Sequence, residues 1–205
     1  MKQKIYISLC IVFSLFIASC ARDVDCTVTR FHEHPLPQGE SIRLEPLDPA
    51  KKGSIEFKEY ASLIAKRLKT IGYNPVGMNE EADLVAEIDY NIDSGKTTIS
   101  RRSGSFVRYH FYYGRYYDPY YYGRSDFFEP EFHSETVYDR SLAINIVSAD
   151  SQKSPDREIL FEGWVLSTGK ERNLLEIMPY LITAMFTNFP GESGVSKIIT
   201  IEKDQ

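Results

Sequence analysis

From Leu84 to Asp93 the chain alternates without a break. Leu84, Ala86, Ile88, Tyr90 and Ile92 are apolar, while Val85, Glu87, Asp89, Asn91 and Asp93 between them are mostly acidic or polar. A side-chain period of two marks a strand with one face on a core and the other in water. Tyr138 to Ser148 repeats the pattern, with Leu142, Ile144 and Ile146 on its apolar face. Ile159 to Ser167 is apolar on both faces, Ile159, Phe161 and Val165 against Leu160, Trp164 and Leu166, which predicts a central strand. The polar stretch Asp150–Asp156 between the last two reads as the turn of an antiparallel hairpin. A sheet is therefore the frame of this fold.

Two segments change period. Phe57, Ala61, Ile64, Leu68 and Ile71 recur at helical spacing. Ser54 is placed to cap that helix, Gly72 suits its C′ position, and Pro75 forbids continuation. A second helix begins near Asn173, with Asn173 and Glu176 at N-cap and N3 spacing and Leu174, Ile177, Leu181, Met185 and Phe189 on one side. Pro179 should kink or restart it. Cys26–Phe31, Ser41–Pro46 and Ile198–Ile201 complete the strands, the first two separated by the turn Pro35–Gly39. The order ββαβ, insertion, ββαβ predicts a two-layer α/β sandwich. Its expected sheet is mixed and mostly antiparallel, of about five or six strands, with two main helices on one face. Phe57, Ile64, Leu68, Ile144, Ile146, Phe161 and Leu181 are expected in the core.

The first 19 residues do not belong to that domain. Lys2 and Lys4 precede an uncharged run from Ile5 to Ser19, 15 residues long, against the roughly 20 a spanning helix needs. This is the pattern of a secretory signal. It ends in Ile17-Ala18-Ser19-Cys20, similar to the lipobox of bacterial lipoproteins, in which the Cys thiol carries a diacylglycerol. Two or more acyl chains anchor a protein stably where one does not. The expected organisation is a signal over residues 1–19, a lipidated tether over 20–26 and one α/β domain over 27–205, with an insertion over 101–133. Residue 21 is Ala rather than the Asp that resembles an inner-membrane retention signal. The expected place is the periplasmic side of the outer membrane of a diderm bacterium. Cys10 leaves with the signal and Cys20 becomes a thioether, so Cys26 has no intramolecular partner and is expected to be a spare thiol near the anchor.

Composition narrows the partners. Lys and Arg number 24 against 29 Asp and Glu, and loss of Lys2 and Lys4 with the signal makes that 22 against 29, or −7. An acidic chain lacks the basic footprint of a nucleic-acid binder. With 42% hydrophobic residues it is neither disordered nor multi-spanning.

Phe106 to Phe128 departs from everything around it. Twelve of its 23 residues are Phe or Tyr, and Arg101 to Phe128 carries five Arg against Asp118 and Asp126, a charge of +3. Tyr112, Tyr113, Arg115, Tyr116, Tyr117, Tyr120, Tyr121, Tyr122 and Arg124 form its densest part. Tyr offers amphipathic contact area at low entropic cost, and Arg stacks on it. Two readings stand side by side. The segment is a recognition loop for glycan, peptide or an anionic polymer, or a low-complexity hairpin extension packed on its own sheet or on the membrane interface.

Catalytic patterns are missing. His32 and His34 share a strand face and suit a metal ligand pair, but they also read as exposed histidines before a proline turn. Glu87, Asp89 and Asp93 share a face and suit paired-carboxylate or Ca²⁺ chemistry, but the solvated face of a one-sided sheet explains them more cheaply. No nucleophile elbow, phosphate loop, dinucleotide fingerprint or Cys-x-x-Cys occurs. No cofactor or metal is expected.

Four motifs then carry a family likeness: Thr29-Arg30-Phe31-His32, Gly53-Ser54-Ile55-Glu56-Phe57, Ala82-Asp83-Leu84-Val85, and Met185-Phe186 through Phe189-Pro190-Gly191. With the Tyr-Gly-rich stretch, their order resembles the bacterial lipoprotein family called domain of unknown function 4136, over about Thr27 to Ile201. The resemblance implies an envelope lipoprotein with an α/β domain and transfers no catalytic residue. The leading functional expectation is a non-enzymatic envelope lipoprotein with an interaction or structural role. A glycan- or peptidoglycan-binding module using 106–128 is the second, and a hydrolase built on the strand carboxylates the third.

Overall fold

The computed structural model describes residues 23–33, 36–102 and 131–203. Eight strands and two helices are present: β1 Val24–Phe31, β2 Ser41–Pro46, α1 Ile55–Thr70, β3 Asn74–Val76, β4 Leu84–Ile92, β5 Lys96–Arg102, β6 Glu131–Ser148, β7 Ile159–Gly169, α2 Leu174–Phe186 and β8 Val195–Ile201. The sheet runs β3-β2-β4-β6-β7-β1-β8, and β5 pairs with β6 off that path. β2 is parallel to β3 and β4; every other pair is antiparallel. The expected α/β fold with a mixed sheet is present.

Both helices lie on one face. Ala86, Ile146 and Phe161 stand side by side across β4, β6 and β7, and Val28 opposite Val165 continues the layer. Phe57, Ile64 and Leu68 of α1 and Leu181 of α2 join them in one core, none more than 1% exposed. Ser54 caps α1 by accepting from Phe57 N, and Gly72 ends it at φ +102°. Asn173 caps α2 by accepting from Leu175 N, while its amide donates to Glu176 Oε1.

The structure corrects the sequence reading in five places. The sheet has eight strands, not five or six, because β3 and β5 carry no period that marks them. β3 is three residues long with Pro75 in its middle, and β5 (KTTISRR) has no apolar phase to read. β6 starts at Glu131, seven residues before the alternation begins, since its first half pairs only with β5. β1 starts at Val24, so Val24, Asp25 and Cys26 are strand rather than tether, with Val24 and Cys26 buried. β7 is interior, yet its two faces are not both covered: Trp164 is 38% and Leu166 56% exposed. α2 runs through Pro179 as one helix and ends at Phe186, before Phe189.

Candidate functional site

The Tyr/Arg residues 112–124 and Cys20 lie outside the described residues. The two strands that flank the Tyr/Arg segment in sequence are described. β5 and the first half of β6 pair from Lys96↔Val137 to Arg102↔Glu131 as a two-stranded ribbon. Six residue steps make it about 20 Å long. Its root is built from carboxylates. Asp93 Oδ1 accepts from Gly95 N and Asp139 N, each at 3.0 Å. Lys96 Nζ and Thr168 Oγ1 reach the two oxygens of Asp139 at 2.6 and 2.7 Å. The Lys96 ammonium, then the Thr168 hydroxyl, hold the Asp139 carboxyl below its ordinary range. Lys170 at the end of β7 ties to Glu135 at 2.6 Å.

Register shows where this root sits. Val24 at the start of β1 pairs with Ile201, Gly169 at the end of β7 pairs with Tyr138, and Ile92 at the end of β4 pairs with Arg140. The amino-terminal end of β1 and the ribbon therefore leave the same end of the sheet.

Two cavities open at that end. One, of about 630 Å³, is lined by Asn91, Asp93, Asp139, Ser141 and Thr168 with Thr27 and Leu166. The other, of about 330 Å³, is lined by Asp23, Asp25, Lys170, Glu171 and Lys203 with Arg140. Arg140 borders both. It occupies the core phase of β6, in step with Leu142, Ile144 and Ile146, and burial lowers the pKa of its guanidinium. This residue was legible in principle, as a charged side chain at an inward position of an alternating strand.

The three carboxylates of the row have separate partners. Glu87 is 7% exposed and both its oxygens accept from Arg157 Nη1, at 3.2 and 2.9 Å. Asp89 pairs with Lys51 at 2.6 Å, and Asp93 is spent on the ribbon root. The expected solvated face is thus corrected at Glu87. His32 Nε2 lies 3.2 Å from Gly191 O; His34 and His110 fall outside the described residues. Among the described residues no group of three or more potential metal ligands occurs.

Cys26 is a free thiol, as expected, but it is a core residue. It is fully buried, and that burial pushes its pKa up to about 11 against the ordinary 9.0. The neutral thiol favours the folded state. That contribution is intact below about pH 9 and is lost as pH climbs toward about 11. Native protein at pH 8 should resist iodoacetamide at Cys26, while urea-unfolded protein should react readily; mass spectrometry after a timed quench reads both.

Three of the four sequence motifs prove to be joints, and the fourth caps α1. Arg30 is 7% exposed, and its Nη2 donates to the carbonyls of Ala184, Met185 and Thr187 at 2.7–2.9 Å. A cation at a helix C-terminus satisfies carbonyls that have no intrahelical partner and opposes the dipole. Gly191 lies so close that a Cβ there would stand 2.7 Å from Arg30 Nη1. The Thr29–His32 and Met185–Gly191 motifs thus meet in one clamp. Asp83 joins β2 to β4 by accepting from Ser41 N and Ser41 Oγ.

An α/β domain with a mixed sheet, an arginine-capped helix and a projecting ribbon is the class these features define. The chain belongs to the family described as Domain of unknown function (DUF4136), whose model matches residues 30–191. No curated protein matches it. Among solved structures it is similar to a PDZ domain protein from Parabacteroides distasonis, at 11% identity and a TM-score of 0.49, over 95% of this chain and 42% of that one. It is also similar to a PelC dodecamer from Paraburkholderia phytofirmans, at 10% identity and a TM-score of 0.38, over 78% of this chain and 92% of that one. The chain thus spans less than half the length of the first of these.

Proposed function

We propose that this chain is a non-enzymatic lipoprotein of the cell envelope, anchored through acylated Cys20, whose domain presents the Tyr/Arg segment as a contact surface. The observation that carries the reading is the shared sheet end. Four residue steps separate Cys20 from Val24, so at most about 14 Å of backbone links the anchor residue to the start of β1. The ribbon extends about 20 Å from that same end. Aromatic and arginine side chains carried there meet whatever lies at or near the membrane surface. Ala21 favours the outer membrane. The separate partners of Glu87, Asp89 and Asp93 support a role without catalysis by those carboxylates.

A second reading, a glycan- or peptidoglycan-binding module, draws support from the larger cavity beside the ribbon root. Its carboxylates, hydroxyls and the Asn91 amide suit a polyhydroxylated ligand. Pull-down with isolated sacculi separates the two readings.

Replacing Phe106–Phe128 by a short Gly/Ser linker tests the division of labour. The core residues named above all come from other parts of the chain. Calorimetry should show one cooperative transition close to wild type, while envelope or partner binding falls. A variant that fails to fold would assign the segment to the core instead.

A further inference from the structure

The clamp at the end of α2 engages a single nitrogen of Arg30. Nη2 donates to the carbonyls of Ala184, Met185 and Thr187. Nε is buried without a partner, and Nη1 makes no hydrogen bond among the described residues. The residue is nine-tenths buried, yet among the described residues no carboxylate stands within ion-pair distance of it. Burial lowers the pKa of the guanidinium, and no neighbouring charge opposes that shift. Carbonyl dipoles on one nitrogen compensate a desolvated cation only in part.

A cavity of about 320 Å³ opens beside Arg30. It lies at the far end of the sheet from the ribbon, where Arg30 pairs with Val195 rather than Val24 with Ile201. Gly191 forms part of its wall at φ +79°, and a Cβ there would stand 2.7 Å from Arg30 Nη1. A side chain at that position would be strained and would close over the nitrogen. Register sets the remaining walls on the same face of the sheet. Val195 stands opposite Arg30, Lys197 opposite Val28 and Ile199 opposite Cys26. Val28, Val195 and Ile199 give the cavity an apolar side, and Lys197 gives it a second cation, which Glu192 holds at 3.1 Å.

Charge and lining together select the ligand. A guanidinium without a counter-ion calls for an anion. The carbonyls gathered on Nη2 and the Glu192 carboxylate on the wall oppose a second negative charge, so a monoanion fits better than a dianion. The apolar side takes hydrocarbon. We propose that the cavity binds a monocarboxylate bearing a compact branched apolar group. Its carboxylate accepts from Arg30 Nη1, and its hydrocarbon packs on Val28, Val195 and Ile199. That chemistry belongs to a small free acid and equally to the carboxyl-terminal residue of a peptide. The peptide has one further contact open to it. β8 ends the sheet, so among the described residues nothing pairs with its outer side, and an extended chain gains main-chain bonds there. This inference is independent of the lipid anchor and of the Tyr/Arg segment.

The Arg30 Nε–Hε signal of the full chain in maltoside micelles reads occupancy by NMR. The titrants are N-acetylvaline, N-acetylvalinamide, inorganic phosphate and the acetylated peptide Ala-Ala-Val. N-acetylvaline should shift the signal to saturation, with an affinity at least tenfold above its amide and above phosphate. Val195→Asp sets a carboxylate of the protein's own on the apolar wall and should weaken binding at least tenfold. Val195 is 37% exposed on the edge strand, and circular dichroism checks that the variant keeps its fold. No shift, equal binding of the amide or of phosphate, or a folded Val195→Asp variant that binds like wild type would each overturn the proposal. Saturable binding of both acids supports it and separates the sources. A peptide at least tenfold tighter than N-acetylvaline identifies a chain end, and equal affinity identifies a free acid.

Discussion

Substituting Cys20→Ala should abolish incorporation of labelled palmitate and move the protein from the membrane fraction to the soluble one. On the lipoprotein reading proposed above, the effect is all-or-none because the thiol would be the attachment atom for the glyceride. Each buried methylene contributes about 0.8 kcal/mol to membrane binding, and two or more chains make the attachment stable. Among the described residues no helix is long and apolar enough to cross a membrane. The shared sheet end adds a second consequence. Without the lipid the ribbon is no longer held beside the bilayer, so any contact the Tyr/Arg segment makes at that surface should weaken with it. Equal labelling of wild type and variant would remove the lipoprotein reading and the orientation derived from it.

The largest expected loss of stability comes from Ile146→Ala. Ile146 is fully buried in β6, between Ala86 of β4 and Phe161 of β7, under the helical layer. Deleting its outer carbons loses their transfer energy and leaves a cavity that close-packed neighbours fill only in part, a cost of about 2–5 kcal/mol. That is a large share of the stability of a small domain. Ile198→Ala is the matched control. Its side chain is 74% exposed on the edge strand β8, and the same truncation should change stability by no more than about 0.5 kcal/mol. Denaturant titration of both variants reads the difference. If Ile146→Ala unfolded at the wild-type midpoint, the β4–β6–β7 register would be wrong.

The control exposes what alternation tells and what it does not. Ile146 and Ile198 are the same residue, in strands rich in β-branched neighbours. Only the rest of the sheet makes one interior and the other an edge. Trp164 and Leu166 teach the same lesson, since two apolar faces on β7 suggest cover that the second face lacks. In the other direction, Glu87 reads as solvated and is buried against Arg157, seventy positions away. Contacts of that separation leave no local mark.

Local pattern sufficed for the alternating strands, both helices with their Ser54 and Asn173 caps, and the core residues from Phe57 to Leu181. Each depends on a period or a cap that is complete within a few residues. Long-range pairing settled the rest. It made β3 and β5 strands through pairing rather than propensity, and it drew Cys26 into the core. It also set Arg30 on the carbonyls of a helix more than 150 residues on. The same pairing brought the amino-terminal end of β1, Arg140 and the root of the ribbon to one end of the sheet. Local patterns report which way a side chain faces, whereas proximity between distant segments follows from strand order, which no single segment encodes.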